Sequence, residues 1–264
     1  MSATKNAVVT GANRGLGFEI VKQLCERDEI GKVYALCRKT SYMLSALESP
    51  KVVVVEDIDV SSDEVMTKLK SYFRTDESDM IPIDLLIHNA GSYGPPEDFA
   101  NDAAVFKSQN LDTITMDRMR FALELNTLGP LRVTQALLPN VKSGGSDTKI
   151  IIITSLMGSI TDNTSGGSYG YRTAKAGVNM IGKSMAEDLR SDKIAVSMIH
   201  PGMVLTGFGG TDGQDRPVEK RWPGQKDVGP SVKGVLDAID ATTMENIGVF
   251  LHGNYGKGVK PLNW

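Results

Sequence analysis

A glycine-rich turn near the N-terminus constrains the fold of this 264-residue chain more than any other feature. Residues Ala7–Thr10 form a short apolar run typical of a buried strand, and apolar residues at helical spacing begin at Phe18. The stretch Gly11–Gly17 therefore lies at a strand-to-helix junction, where glycines permit a tight turn and let helix N–H groups reach a pyrophosphate. Its spacing differs from the commoner Gly-x-Gly-x-x-Gly, so the flanking strand and helix carry the prediction, and a purely structural turn is the alternative. The predicted phosphate-binding residues are Gly11, Asn13, Arg14, Gly15, Leu16 and Gly17.

The residues after the second predicted strand indicate which dinucleotide is bound. Many dinucleotide-binding folds place an acid about 20 residues after the glycine turn to hold the ribose 2′-hydroxyl, and this chain has Cys37 and Arg38 there. An arginine pairs with a 2′-phosphate, whereas a carboxylate would repel it. Arg14 can supply a second guanidinium. We therefore expect NADPH rather than NADH, the alternative being that both arginines are solvated surface residues.

Strand-like and helix-like segments alternate along the chain. This alternation predicts an α/β fold, a doubly wound parallel sheet (Rossmann fold) of about seven strands with helices on both faces. A chain of this length is expected to form a single dinucleotide-binding and catalytic domain over residues 1–264. The stretch 93–110 is a predicted loop over the active face. The stretch 207–227 is either disordered or a functional lid, and as a lid it is a candidate substrate loop. The predicted strands are 7–10, 32–37, 52–55, 84–87, 149–154, 194–199 and 249–251.

One long predicted helix, residues 115–138, contains two residues that helices usually exclude. Asn126 lies among apolar neighbours, where its amide is costly unless it finds hydrogen-bond partners. It is therefore either a buried spacer or part of a proton relay. Pro130 is expected to kink this helix or to bend it at Gly129.

Several polar or small residues follow the predicted strands, at the edge where open α/β sheets bind ligands. Ser155 follows the fifth strand and is well placed for chemistry. Asn89 is expected to hold the central strands by side-chain hydrogen bonds, and His88 to be packed or capping, with a catalytic role as the alternative. Thr206 can hydrogen-bond a nicotinamide carboxamide. The other predicted cofactor contacts at strand ends are Asp59, Val60, Ala90 and Gly91.

Tyr171 and Lys175 supply the predicted proton chemistry. Their spacing places both side chains on one face of a helix, one turn apart. A phenol ordinarily titrates at about pH 10, and an adjacent ammonium is expected to lower its pKa towards neutrality. Taken alone, such a pair is more typical of a solvated helix surface. Tyr169 is a second phenol, but its partner four residues on is Thr173, which carries no charge.

Composition excludes several classes of function. A net charge of −3 and a pI near 5.7 provide no basic surface for nucleic acid or an anionic membrane. The two cysteines, Cys25 and Cys37, have no metal-ligand spacing and are expected to be reduced core residues. The apolar runs are too short to span a bilayer and no signal region is evident, so a cytoplasmic location is expected.

These residues together resemble the short-chain dehydrogenase/reductase family, in its shorter single-domain branch, over nearly the whole chain. Residues 158–160 and 169–173 are most similar to the sniffer-type carbonyl reductases and the related C-factor group. The resemblance rests on the order of the segments 10–17, Asp59-Val60, Asn89-Ala90-Gly91, Asn126, Ser155, Tyr171-x-x-x-Lys175 and Pro201-Gly202.

The resemblance implies a role for each catalytic candidate. Tyr171 would protonate a substrate carbonyl oxygen as hydride arrives, and Lys175 would lower its pKa and bind the nicotinamide ribose. Ser155 would hydrogen-bond the same oxygen, and Asn126 would anchor a water leading to Lys175. The implied cofactor contacts near the sixth strand are Pro201, Gly202, Val204 and Thr206.

The resemblance also implies a homo-oligomer, a dimer or tetramer paired through the helices that contain Asn126 and Tyr171. Two departures from the family pattern stand out. His88 occupies a position where the family often has a first Asn. The segment from Ser155 to Tyr171 is longer than usual, so the assignment of Ser155 rests on its position at a strand end.

The predicted function is NADPH-dependent reduction of an aldehyde or ketone to an alcohol. One alternative is the reverse direction, oxidation of an alcohol with NAD. Another, from a different class, is a dinucleotide-sensing or signalling protein that keeps the site but acts through a partner. The choice of substrate is expected to depend on the predicted loops 93–110 and 207–227.

Overall fold

The first strand lies inside the sheet, because its apolar residues leave no polar face to present to water. Ala7, Val8 and Val9 are fully buried, and such a strand must be covered by helices on both sides. The computed structural model describes residues 4–74, 80–96, 106–204, 226–253 and 258–264. The described strands are β1 (Lys5–Thr10), β2 (Ile30–Leu36), β3 (Val52–Val55), β4 (Leu85–His88), β5 (Lys149–Ile153), β6 (Ala195–His200), β7 (Val249–His252) and β8 (Lys260–Pro261).

These strands form one sheet in the order β3-β2-β1-β4-β5-β6-β7-β8. Each neighbouring pair from β3 to β7 is parallel. The edge strand β8 pairs with β7 and is the antiparallel strand of the sheet. The chain order reverses direction at β1 and β4, so their carboxyl ends form the crevice in which open α/β sheets bind ligands. The predicted Rossmann fold is confirmed. The eighth strand was not predicted, because two exposed residues including a proline carry no strand periodicity.

Helices cover both faces of the sheet. One core lies under the helices Glu64–Phe73, Gly129–Lys142 and Tyr169–Asp188, and the other lies under the helices Gly15–Cys25 and Val228–Asp240. The described helices are α1 (Gly15–Cys25), α2 (Tyr42–Ser45), α3 (Glu64–Phe73), α4 (Met116–Leu123), α5 (Gly129–Lys142), α6 (Tyr169–Asp188) and α7 (Val228–Asp240).

The break in the long predicted helix lies before the expected position. A π-helical turn at Glu124–Leu128 separates α4 from α5, and Asn126 is at its centre. Pro130 lies directly after this turn, in the first turn of α5, and the backbone stays helical through Leu128 and Gly129. A proline there has no N–H to give to the preceding turn, so the π turn and the proline lie together. The helix is thus irregular just before Gly129, with the irregularity centred on Asn126, and the kink or bend itself stays a prediction.

Some predicted features lie outside the described residues. Thr206, most of the 207–227 loop and the middle of the 93–110 loop belong to this group. In the described parts of the chain, no helix has both the length and the apolar character that a membrane crossing requires.

Candidate active site

The glycine turn brings the start of α1 against the carboxyl ends of β1 and β4. Gly11 and Gly15 have φ angles of 65° and 56°, in the left-handed region that favours glycine. A Cβ on Gly17 would lie 2.2 Å from the Gly11 carbonyl oxygen, so only glycine permits this close approach. Arg14 precedes the helix in extended conformation, and its side chain makes no capping hydrogen bond.

The open start of α1 fits an anionic group. Among the described residues, no acceptor takes the backbone N–H groups of Gly15, Leu16 or Gly17. Unpaired N–H groups at a helix start, together with the positive end of the helix dipole, favour a phosphate. A dinucleotide pyrophosphate therefore fits these residues.

Asn89 joins the carboxyl ends of β1 and β4 by hydrogen bonds beside this turn, as predicted from its position after the fourth strand. Its Nδ2 donates to the carbonyl oxygens of Thr10 and Gly11, at 3.0 and 3.1 Å. Thr10 Oγ1 accepts from the backbone N–H groups of Asn89 and Ala90, at 3.0 and 3.1 Å. The ends of β1 and β4 are thus tied together by side chains as well as by the sheet.

The residues predicted to select the dinucleotide lie at the end of β2, where sequence reasoning overlooked one acid. Arg38 is exposed there, directly after the buried Cys37. Glu56, which follows β3, reaches the same neighbourhood, where its carboxylate accepts from the Thr40 N–H at 2.7 Å. The acid comes from the adjacent strand, so counting residues from the glycine turn could not find it. Asp59 lies further along the same edge and accepts from the Ser61 N–H and hydroxyl.

Asn126 is buried and bonded to backbone on two sides. Its Nδ2 donates to the carbonyl oxygens of Ser92 and Ala122, at 2.9 and 3.0 Å, and its Oδ1 accepts from the Ser92 N–H at 3.1 Å. A Cβ on Gly91 would lie 2.8 Å from Asn126 Oδ1 and 3.6 Å from Lys175 Nζ. Gly91 therefore lies between the amide and the ammonium, and its lack of a side chain lets them approach. Asn126 has the contacts of a spacer, and its role as a water anchor remains a prediction.

Tyr171 is the buried phenol of the two candidates. Its residue is 8% exposed, compared with 38% for Tyr169. Its hydroxyl shares a hydrogen bond with the Ser155 side chain, whose Oγ also accepts from the Met157 N–H at 3.2 Å. Tyr171 and Ser155 therefore meet just beyond the carboxyl end of β5.

The predicted lowering of the Tyr171 pKa towards neutrality is wrong for the protein alone. Burial raises the pKa of Tyr171 and outweighs the opposing effect of the Ser155 hydrogen bond. Removal from water disfavours the phenolate, and the i, i+4 spacing does not reveal this desolvation. Tyr171 is accordingly a neutral phenol at physiological pH, the form that can donate a proton.

Lys175 is buried within reach of the same site. Its Nζ donates to the Ile153 carbonyl oxygen at 3.0 Å and lies 5.7 Å from the centre of the Tyr171 ring. Burial lowers the pKa of Lys175 to about 8, so the ammonium form still dominates near pH 7. The described site thus holds a neutral donor and a cation side by side.

Tyr93 and Gln109 pack against Tyr171, and the sequence did not predict this contact. The Tyr93 ring lies 5.1 Å from the Tyr171 ring, between centroids, and its hydroxyl bonds to the Ser168 Oγ. Gln109 is 1% exposed and contacts the backbone of both tyrosines. Both residues belong to the predicted 93–110 loop, whose mixed polar composition has no periodicity to mark a buried glutamine.

The histidines near the sheet edge are packed. His88 is buried, and its Nε2 lies 2.8 Å from Thr134 Oγ1. Burial lowers the pKa of His88 and of His200 to about 3, so both are neutral. The prediction that His88 packs is confirmed. His200 leads into Pro201 and the turn at Gly202, whose φ of 86° is in the left-handed region.

The carboxyl ends of the strands bring four sequence-predicted residues together: Asn126, Ser155, Tyr171 and Lys175. The glycine turn and Asn89 lie beside them across β1 and β4. Pro201, Gly202 and Val204 follow β6 at the same sheet edge, with Val204 bridged to Lys226. A neutral hydroxyl donor, a second hydroxyl and a buried cation can together bind and protonate a carbonyl oxygen.

Comparisons with known proteins agree with this arrangement. Residues 5–217 match the family model described as short chain dehydrogenase. A curated relative, 1-hydroxy-2-glutathionyl-2-methyl-3-butene dehydrogenase of Rhodococcus sp. (strain AD45), is 33% identical over 250 residues, covering 94% of this chain and 96% of the relative.

Two solved structures are similar over almost the full length. The NADPH-bound carbonyl reductase from chicken fatty liver has a TM-score of 0.81 at 26% identity, covering 99% of this chain and 100% of that one. The carbonyl reductase Sniffer of D. melanogaster has a TM-score of 0.78 at 25% identity, with the same coverage. These likenesses agree with the subgroup that the sequence segments indicated.

Proposed function

The chain belongs to the short-chain dehydrogenase family of oxidoreductases, and from this premise we propose that it reduces an aldehyde or ketone to an alcohol with NADPH. The observation that carries the proposal is the buried, neutral phenol of Tyr171, hydrogen-bonded to Ser155 at the carboxyl end of β5. A phenol in this state is a proton donor. A reductase needs such a donor at the carbonyl oxygen.

The proposed mechanism assigns one task to each side chain. The hydroxyls of Ser155 and Tyr171 bind the carbonyl oxygen and polarise the carbonyl bond. When bound, NADPH would supply the hydride for the carbonyl carbon. Tyr171 gives its proton to the oxygen as negative charge develops there, and the Lys175 ammonium stabilises the phenolate that is left.

The glycine turn, the strand ends and Arg38 would hold NADPH. The open start of α1 would take the pyrophosphate, and Arg38 would pair with the 2′-phosphate, aided by Arg14. The carbonyl reductase from chicken fatty liver has NADPH bound, which supports this choice of cofactor. Pro201, Gly202, Val204 and Thr206 would contact the nicotinamide half, and residues 207–227 would form the substrate loop of a single domain.

A matched pair of tyrosine variants tests the proposal. Tyr171→Phe removes the proton donor and is expected to lower kcat by about 10²–10⁴-fold on a good substrate from a panel of aldehydes, ketones, diketones and quinones. Tyr169→Phe removes the exposed phenol of the same helix and should leave kcat within twofold, and both variants should keep the wild-type Kd for NADPH. The proposal is contradicted if Tyr171→Phe keeps the wild-type kcat. It is also contradicted if the wild type binds NADPH but reduces no member of the panel.

Oxidation of an alcohol is the second candidate, favoured by the name of the Rhodococcus dehydrogenase. The same residues would serve, with Tyr171 accepting the proton instead of donating it. Comparing kcat/KM for an alcohol with NAD and for the matching carbonyl with NADPH at pH 7 distinguishes the two directions. The proposal predicts the larger value for reduction.

Pairing through α4 and α6 is part of the same proposal. Met116 and Met180, one on each of these helices, are 60% and 67% exposed, which is unusual for large apolar side chains. A dimer or tetramer would bury them. Light scattering of the wild type and of Met180→Lys tests this, because the charged variant should shift the mass towards the monomer.

A further inference from the structure

Gln109 occupies the start of the helix that carries Tyr171, although it lies about 60 residues earlier in the chain. The Tyr171 N–H donates to Gln109 Oε1 at 3.0 Å, and the Tyr169 N–H donates to the Gln109 main-chain carbonyl at 3.1 Å. Ser168, which precedes α6 with a φ of 53°, makes no capping hydrogen bond of its own. Gln109 therefore supplies, from a distant loop, two of the acceptors that a helix start needs.

The same side chain also holds the ring that packs on Tyr171. Gln109 Nε2 donates to the Tyr93 main-chain carbonyl in a short hydrogen bond. The Tyr93 and Tyr171 rings are inclined at 36° with centroids 5.1 Å apart. One amide thus fixes the backbone of both tyrosines, using its acceptor for one and its donor for the other.

The surroundings of Gln109 leave little freedom for another arrangement. The residue is 1% exposed, and a Cβ on Gly170 would lie 3.1 Å from Gln109 Oε1. A buried amide with both of its polar ends paired is rigid, and losing either partner leaves an unsatisfied buried group.

We propose that Gln109 is a positioning residue for Tyr171, setting the phenol against Ser155 by tying the first turn of α6 to the backbone of Tyr93. This rests on the proposed function of Tyr171. Gln109 itself has no contact with Ser155 or Lys175 and so acts only through the tyrosines. Displacing a reacting group by about 1 Å can lower a rate on the order of 10²-fold, so a small error in the first turn of α6 is enough to matter.

Gln109→Met tests the role, because it keeps the length of the side chain and removes both hydrogen bonds. We expect kcat to fall by roughly 10- to 100-fold while the Kd for NADPH changes less than twofold. The matched control is Gln23→Met, a half-buried glutamine on α1 that also makes two hydrogen bonds. A kcat for Gln109→Met within twofold of wild type, or an equal loss in Gln23→Met, overturns the proposal.

Gln109→Glu provides a test that a purely structural role would not pass. An ionised carboxylate still accepts from the Tyr171 N–H but repels the Tyr93 carbonyl, whereas the protonated acid has a donor and an acceptor like the amide. Burial raises the pKa of such a carboxyl. The kcat of Gln109→Glu relative to wild type should therefore rise as the pH falls from 8 to 5.5, while the ratio for Gln109→Met stays flat. A flat ratio for Gln109→Glu contradicts the role.

A spectroscopic readout separates this proposal from the proposed function. With tyrosine labelled at Cζ, the NMR signals of Tyr93 and Tyr171 can be assigned from Tyr93→Phe and Tyr171→Phe. Both signals should shift in Gln109→Met and stay in place in Gln23→Met, even if no carbonyl substrate is found. Unchanged signals in Gln109→Met contradict the positioning role. If the wild type turns over no substrate, only the proposed reduction is contradicted.

Discussion

The helices α1 and α6 both begin without a hydrogen bond from a capping side chain at the preceding residue. They differ in whether the rest of the protein supplies acceptors for the N–H groups of the first turn. Neither Arg14 before α1 nor Ser168 before α6 caps its helix. At α6, Gln109 from a distant loop accepts from two of the first three N–H groups, those of Tyr169 and Tyr171. At α1, the described residues offer no acceptor to the first three N–H groups.

This difference suits the start of α1 to binding a cofactor and the start of α6 to holding a proton donor in place. Unpaired N–H groups in a folded protein need an acceptor, which is water or a ligand at α1 and the protein itself at α6. A helix start that stays open can receive a phosphate, whereas a filled start holds its residues in place. This difference supports the proposal that cofactor phosphates bind at the start of α1, and it gives Tyr171 a fixed position at the start of α6.

The largest effect is expected from adding one methyl group to the open start. In Gly17→Ala, the Cβ would lie 2.2 Å from the Gly11 carbonyl oxygen and 2.5 Å from Asn89 Nδ2, so the turn must shift. Overpacking of this kind costs about 1–3 kcal/mol or more, and we expect NADPH affinity to fall roughly 100-fold. Fluorescence titration with NADPH measures the Kd, and thermal unfolding measures the stability.

Gly229→Ala is the control for this change. Its Cβ would meet only the flexible end of Glu19, at 3.5 Å, so both the Kd and the melting temperature should stay near wild type. If Gly17→Ala binds NADPH as tightly as this control does, the close approach in the turn is not needed for the cofactor.

The next effect concerns the cation beside the filled start. Burial lowers the pKa of Lys175 from 10.5 to about 8, so between these pH values the unfolded chain binds a proton that the folded chain has released. Stability therefore rises with pH across this window, and the penalty for the buried ammonium is fully present below pH 8. Relative to Lys175→Met, the wild type should gain on the order of 2–3 kcal/mol in unfolding free energy between pH 7 and pH 10.

Urea unfolding at both pH values measures this gain. Lys183→Met is the control, because it removes a half-exposed lysine of the same helix, whose Nζ lies 2.8 Å from Glu187, and leaves the buried ammonium in place. If the unfolding free energy of the wild type relative to Lys175→Met stays constant or falls between pH 7 and pH 10, the ammonium is solvated in the folded protein.

The smallest effect is expected at the far end of the cofactor site. Arg38→Gln removes an exposed guanidinium, and we expect kcat/KM for NADPH to fall about 10-fold, the equivalent of one charge-assisted hydrogen bond, with little change for NADH. Arg190→Gln, an exposed arginine that pairs with Glu187, is the control. Equal losses with both dinucleotides would show that Arg38 does not read the 2′-phosphate.

The same contrast explains what could be predicted from the sequence. The glycine turn, the strand ends and the choice of Tyr171 over Tyr169 follow from local spacing and from the rule that parallel strands end at a common edge. Gln109 could not be found this way, because its partners Tyr93 and Tyr171 are remote in sequence and a glutamine in a polar loop has no pattern. The pKa of Tyr171 was predicted in the wrong direction, since spacing reveals a neighbouring charge but not the loss of water.

Amide hydrogen exchange with and without NADPH tests the division between the two helix starts most directly. In the protein alone, the amides of Tyr169 and Tyr171 should exchange slowly and those of Gly15–Gly17 quickly. NADPH should slow exchange at Gly15–Gly17 while leaving Tyr169 and Tyr171 protected as before. Slow exchange at Gly15–Gly17 without NADPH, or fast exchange at Tyr171 in either state, would contradict the account.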